Sequence, residues 1–132
     1  MPPVFDHEKL NVYQRALSFV DFSNELFSKM PNRIAACSQL DRASTSIPLN
    51  IAEGNGKYTA KDRCRFFDIA RGSALECAAI LDVMTKRKII EAIKAYEGKM
   101  ILREIVSMLV GLIQSQNADR IYEDAATYNF EE

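Results

Sequence analysis

The chain has 132 residues, 48% hydrophobic and 27% charged, with 5 Gly and 4 Pro. That is enough apolar matter for one compact core, which excludes collagen-like, mucin-like and disordered classes. A formal net charge of −1 and a pI near 5.9 argue against a wholesale polyanion binder.

The N-terminus, Met1-Pro2-Pro3-Val4-Phe5-Asp6-His7, shows no basic stretch followed by an apolar one, so no secretory signal is expected. No run of 18 apolar residues occurs, and no membrane partner is expected. Cys37, Cys64 and Cys77 are odd in number and lie inside periodic segments. They read as buried thiols in a reducing cytoplasm rather than as a disulfide framework or a metal site.

In chain order, apolar periodicity predicts four long helices and no strand. The first runs from about Glu8 to Lys29 and stops at Met30-Pro31-Asn32. The second spans Arg33 to Glu53 and ends at Gly54-Asn55-Gly56, where glycine permits a left-handed cap. Pro48 lies inside it and should bend it, with two shorter helices as the alternative. The third starts at Thr59-Ala60-Lys61-Asp62, with Asp in the capping-box position, and runs to Lys86. The fourth runs from Ile90 to Ser115. Short connections favour antiparallel neighbours, so the expected fold is an all-α, up-down-up-down four-helix bundle over residues 1–116. Residues 117–132 carry Asp119, Glu123, Asp124, Glu131 and Glu132 against one Arg120, and read as a short acidic C-terminal tail.

Helical wheels sharpen the picture. On the first helix Leu10, Tyr13, Leu17, Val20 and Phe27 flank one side, and Phe19, Phe22, Leu26 and Met30 the other. On the fourth, Ile101, Leu102, Ile105, Val106, Met108, Leu109, Leu112 and Ile113 repeat this excess. Both arcs exceed the stripe one small core requires, which predicts an oligomer interface over the alternative of a fully enclosed helix. On the third helix Phe66, Ala70, Ser73, Cys77, Ile80 and Met84 form the expected inward stripe. The opposite side begins with Lys57, Lys61, Arg65 and Arg71 and continues through Gly72, Leu75 and Ala79 to Lys86. Residues 57–88 hold eight basic and four acidic side chains. Such a ridge is either a solvated face or a phosphate-tracking surface, for which the candidates are Lys57, Lys61, Arg63, Arg65, Lys86, Arg87 and Lys88.

The second helix carries an unusual polar stripe. Arg42, Ser46, Asn50 and Glu53 fall within about 80° of one another at helical spacing, beside Leu40, Ala43, Ile47 and Ile51. Polar groups at a core edge require partners. Glu53 is three turns from Arg42, so Glu76 or Asp68 of the third helix is the expected mate. A buried network that fixes helix register is the expectation, with a ligand-binding or catalytic constellation as the alternative.

At these residues the chain resembles a known family. Gln39-Leu40-Asp41-Arg42-Ala43 and Ser46-Ile47-Pro48-Leu49-Asn50-Ile51-Ala52-Glu53-Gly54 resemble the signature of four-helix-bundle proteins encoded in intervening sequences of bacterial 23S ribosomal RNA. Leu10-Asn11-Val12-Tyr13-Gln14-Arg15-Ala16 upstream and Phe66-Phe67-Asp68-Ile69-Ala70-Arg71-Gly72-Ser73-Ala74-Leu75-Glu76 downstream agree in order. The resemblance covers about Leu10 to Ile113. It implies a left-handed antiparallel bundle assembled as a homopentamer. It also implies kinship with the accessory variability determinants of diversity-generating retroelements, which bind nucleic acid and a reverse transcriptase through basic surfaces. Arg42, Asn50, Glu53, Gly72, Ser73 and Glu76 match the family motif in what the resemblance implies is a structural role.

Enzyme chemistry finds little footing in these residues. His7 is the only histidine, so neither a histidine metal cluster nor a histidine-based triad is available within one chain. No Glu-x-x-His motif or glycine-rich phosphate loop occurs. No catalytic residue, metal or cofactor is therefore expected. Two functions remain. One is a non-catalytic homo-oligomeric scaffold that engages RNA, DNA or a reverse transcriptase through the basic face. The other is a protein–protein assembly module, consistent with the near-zero net charge.

Overall fold

The computed structural model describes residues 1–30 and 35–131, with side chains through 117. A single 3-10 turn at Asp6–Lys9 precedes four helices: α1 (Asn11–Ser28), α2 (Ala35–Asn55), α3 (Ala60–Lys86) and α4 (Ala92–Glu131). The first helix starts three residues later than its apolar periodicity suggests. The Glu8 side chain accepts from the backbone N–H groups of Val4 and Phe5, which close the preceding turn and hold its carboxyl below the usual range. The helix break at Met30-Pro31-Asn32 falls partly at residues 31–34, outside the described residues.

Cross-helix contacts give the directions of the chain. Arg42 meets Glu76 and Ser46 meets Ser73, so α2 and α3 run antiparallel. Asp82 with Lys99, and Arg63 with Gln116, do the same for α3 and α4. Arg15 pairs with Glu104, while Gly98 faces Phe22, so α4 closes on α1 in the opposite sense. At the ends of the α1–α2 pair, Asp6 meets Asn55 and Met30 meets Cys37. The result is the up-down-up-down bundle, with Phe19, Leu40, Ile47, Ile51, Phe67, Leu81, Met84, Leu102, Ile105 and Leu109 fully buried inside.

Several local expectations are corrected. The α2 helix continues unbroken through Pro48, whose ring is buried, so the two-helix alternative does not form. Gly54 does not form a left-handed cap, because no glycine has a positive φ. It lies buried within α2, where a Cβ would come within 2.8 Å of the Phe67 ring. Its small size lets α3 approach; conformational freedom is not what the position uses. Phe67, not Phe66, is the deep aromatic of α3, and Ser73 is only half-buried, bonded to Ser46.

The wide apolar arcs are largely absorbed within one bundle. Leu10, Tyr13, Phe22, Phe27 and Met30 of the first segment, and Ile101, Val106, Met108, Leu112 and Ile113 of α4, pack against the core while remaining half-buried. Long and aromatic side chains at the flanks reach back to the centre, which is how a helix with a broad arc can serve one core. Thr59 caps α3 by accepting from the Asp62 N–H at 3.2 Å, as its position suggests. The α4 backbone continues through residues 117–131, the stretch read as an acidic tail. No helix among the described residues is long and apolar enough to cross a membrane.

Candidate nucleic-acid interface and polar seam

The α2–α3 seam collects most of the polar stripe. Arg42 Nη2 donates to both Glu76 carboxylate oxygens, at 2.8 and 3.1 Å. One turn on, the Ser46 and Ser73 hydroxyls lie 2.9 Å apart. Asn50 Nδ2 donates to the Ser46 carbonyl and hydroxyl at 2.8 and 2.9 Å. Of the two expected mates for Arg42, Glu76 is the one used; Asp68 pairs instead with Arg71. Glu53 is exposed, and its carboxylate joins no hydrogen bond or ion pair with a described residue.

The seam is not the buried network the sequence suggests. Side-chain exposures of 66% for Arg42 and 43% for Glu76 place the pair on the protomer's surface. Only the shorter Ser46, Asn50 and Ser73 are half-buried. The reason is radial: the long Arg42 and Glu76 side chains reach out beyond the rim of the helix pair, whereas serines stay between the backbones. Beside the seam, Ser38, Asp41, Arg42, Thr45, Ser46, Leu49, Asn50 and Glu53 line an open groove of about 510 Å³. An open groove leaves water at every polar group, the opposite of a desolvated reaction chamber.

The seven basic candidates separate into two groups. Lys57, Lys61, Arg63 and Arg65 surround the start of α3, and Lys86, Arg87 and Lys88 follow its end. A helix of 27 residues holds these groups about 40 Å apart. Between them the outer face of α3 is mixed: Ile69, Leu75 and Val83 are exposed around Gly72 and Ala79, interspersed with the exposed carboxylates of Asp68, Glu76 and Asp82. Leu49 of α2, 61% exposed, lies at the same level, because the Arg42–Glu76 and Ser46–Ser73 register continues to Asn50 opposite Ile69. What reads in sequence as one basic ridge is two basic ends with exposed apolar and acidic side chains between them.

Pairing separates these cations from the rest. Among the described residues, Lys9, Arg15, Lys29, Arg42, Arg71, Lys94 and Lys99 each bridge to a carboxylate. None of the seven candidates does; outside them only Arg103 lacks such a partner. Arg63 is instead a structural brace, donating Nε–H to the Lys57 carbonyl at 2.7 Å and Nη1 to Gln116. Lys57 Nζ and Arg65 Cζ lie 4.9 and 5.1 Å from the centroid of the Phe66 ring.

Elsewhere, His7 stacks on Phe5 and meets Tyr13 edge-on, which gives the single histidine a packing role. Cys37 and Cys77 are buried free thiols, and Cys64 is half-buried. No group of three or more metal-ligating side chains gathers among the described residues. Glu53 and Glu76, the carboxylates available for acid–base work, are respectively solvated and engaged by Arg42.

Comparison with known proteins agrees with this architecture. No curated protein matches the sequence. A crystal structure of a protein of unknown function from the S23 ribosomal protein family of Bacteroides thetaiotaomicron VPI-5482 superposes with a TM-score of 0.71. It is 22% identical, and the match covers 77% of this chain and 97% of that one. At that identity the likeness speaks for the fold. The sequence pattern of one family spans residues 8–111, from the N-terminal turn through the first half of α4. The chain belongs to the 23S rRNA-intervening sequence protein family.

Proposed function

We propose that the protein is a non-catalytic homo-oligomeric scaffold that engages RNA or DNA, or a nucleic-acid enzyme such as a reverse transcriptase, through its basic ends. The observation that carries this reading is the segregation of ion pairing. Among the described residues, the cations outside the two basic ends, Arg103 excepted, are matched with carboxylates, whereas Lys57, Lys61, Arg65, Lys86, Arg87 and Lys88 have no carboxylate partner and are open to an external anion. Lysine and arginine that neutralise phosphates release counterions, and this supplies affinity without sequence recognition.

Self-assembly is the second half of the proposal. The band of exposed apolar side chains Leu49, Ile69, Leu75 and Val83, interspersed with Asp68, Glu76 and Asp82, is the surface we assign to contact between copies. The resemblance to the pentameric members of the family supplies the number five. A ring would repeat the basic ends around its axis and raise the avidity of each for a long polyanion. The same band also supports the second reading, a protein–protein assembly module with no nucleic-acid role, favoured by the formal net charge of −1.

Fluorescence anisotropy of a structured RNA, titrated at several salt concentrations, tests the nucleic-acid role. The scaffold reading expects affinity that falls steeply with salt and is lost when Lys57, Lys61 and Arg65 are all changed to Glu. Unaltered affinity in that variant would remove the basic end from the interface. Native mass spectrometry tests assembly: five copies in the parent and fewer in Leu75→Glu are expected.

A further inference from the structure

We infer that the turn between α2 and α3 is a stacking platform for single-stranded nucleic acid, with Tyr58 taking the face of an unpaired base. The inference rests on the nucleic-acid reading above and narrows it to one end of the bundle and one class of strand.

Tyr58 is 98% exposed, so its ring contributes almost nothing to the packing of this chain. The backbone that carries it is clamped on both sides. The Lys57 N–H donates to the Gly54 carbonyl at 3.1 Å, and the Lys57 carbonyl accepts from Arg63 Nε at 2.7 Å. Immediately after it, Thr59 caps α3, and its carbonyl accepts from the Arg63 N–H. A fixed turn that holds an aromatic ring in solvent is ordered before any ligand arrives, which reduces the entropy lost on binding.

The charges around the ring complete the chemistry. Residues 57–65 hold four cations and one carboxylate, Asp62. Lys57 and Arg65 both lie over the Phe66 ring, which fixes two of the positive groups beside the turn, while Lys61 projects from the first turn of α3. Aromatic faces stack with any base, and neighbouring cations follow the phosphates; together these are the requirements of sequence-tolerant single-strand binding. A duplex keeps its bases stacked on each other and offers no free face to Tyr58.

The chain contains no tryptophan, so Tyr58→Trp introduces a single reporter at the platform of the full-length protein. Unstructured 20-nucleotide oligomers of the same sequence, as RNA and as DNA, are titrated at low salt, alongside an RNA duplex of equal length. The expected result is quenching of the introduced indole's emission by the single strands and not by the duplex. Quenching by both single strands assigns the platform to either nucleic acid; quenching by RNA alone narrows it to RNA. In parallel, Tyr58→Leu is expected to weaken anisotropy-detected single-strand binding by about five- to 150-fold and Tyr58→Phe to preserve it. Duplex affinity is expected to be equal in the parent and in both of these variants. Single-strand binding that leaves the indole emission unchanged, or that Tyr58→Leu does not weaken, would overturn the platform while leaving nucleic-acid binding in place. Absence of binding to every oligomer overturns both readings and turns the cluster toward an acidic protein surface.

Discussion

Gly54 on α2 sits against Phe67 on α3 so closely that an added Cβ would lie 2.8 and 2.9 Å from two ring carbons, and 3.0 Å from the Phe66 Cβ. The two helices therefore meet at a point where only hydrogen fits. Gly98 plays the same part on α4, where an added Cβ would lie 2.6 Å from a Phe22 ring carbon and 2.7 Å from Leu81 Cδ1. A Cβ added at Gly72, on the outer face of α3, would meet no other side chain or distant backbone within 4 Å.

These differences predict an order of stability. Gly54→Ala forces the Phe67 ring to move and is expected to cost about 1–3 kcal/mol, more than its gain in helix propensity. Gly72→Ala meets no neighbour in the protomer and is expected to gain about 0.5–1 kcal/mol. Urea denaturation at one protein concentration checks both. Equal stabilities for the two variants would show that the α2–α3 contact yields without cost.

Arg42→Ala should be mild for the folding of the protomer. The Arg42–Glu76 pair is two-pronged but exposed, and exposed ion pairs contribute about 0–1 kcal/mol. We expect a melting shift of no more than a few degrees and an unchanged circular dichroism spectrum. Native mass spectrometry on the same variant separates two roles for the pair. Loss of the proposed oligomer with a folded protomer would place Arg42 between copies; assembly equal to the parent's confines it to register within one chain.

The helices were legible because each carries enough turns for its apolar period to emerge, and the Thr59 cap because Asp62 follows at the right spacing. The Arg42–Glu76 pairing was legible too, since a stripe of polar groups on one helix needs partners on the next. Depth was harder. Phe66 and Phe67 differ by one helical step, and periodicity alone does not choose which of two adjacent aromatics enters the core. Leu75 was legible on the outer face, but the exposure of Ile69 and Val83 and the separation of the basic ends were obscured, because counting charges over residues 57–88 averages along a helix that keeps those ends far apart. Gly54 illustrates a third limit: a glycine at a helix end signals a turn in sequence, and only the position of Phe67 reveals a close approach.

Ser23 is expected to be replaceable with profit to stability. It lies on α1 with 1% exposure, and its hydroxyl is the buried side-chain polar atom that finds no partner among the described residues. An unsatisfied buried hydroxyl costs about 1–3 kcal/mol. Ser23→Ala removes it while leaving only a small void, so we expect a gain of about 1 kcal/mol, read as a higher urea midpoint. A loss of similar size would mean that the hydroxyl has a partner supplied by assembly or by water.

The three thiols are expected to differ sharply in reactivity. Burial, with a smaller push from the Glu76 carboxylate and a smaller opposing pull from Arg42, raises the Cys77 thiol from 9.0 to about 12. At pH 8 its thiolate is about one part in ten thousand, and the surrounding core excludes reagent. Cys37 is also buried, with its Sγ 3.1 Å from Met30 Sδ, whereas Cys64 is half-buried. A short iodoacetamide pulse on the native protein, followed by peptide mapping, is therefore expected to mark Cys64 first and leave Cys77 unmodified until denaturant is added. The same shift has a defined sign in stability. The folded state keeps the Cys77 proton to higher pH than the unfolded chain, so its contribution is complete below pH 9 and falls away as pH rises toward 12. Cys77→Ala should flatten the stability profile over that window and leave its slope below about pH 8 unchanged. Rapid native labelling of Cys77 would instead show that α3 opens at its centre, between the two basic ends.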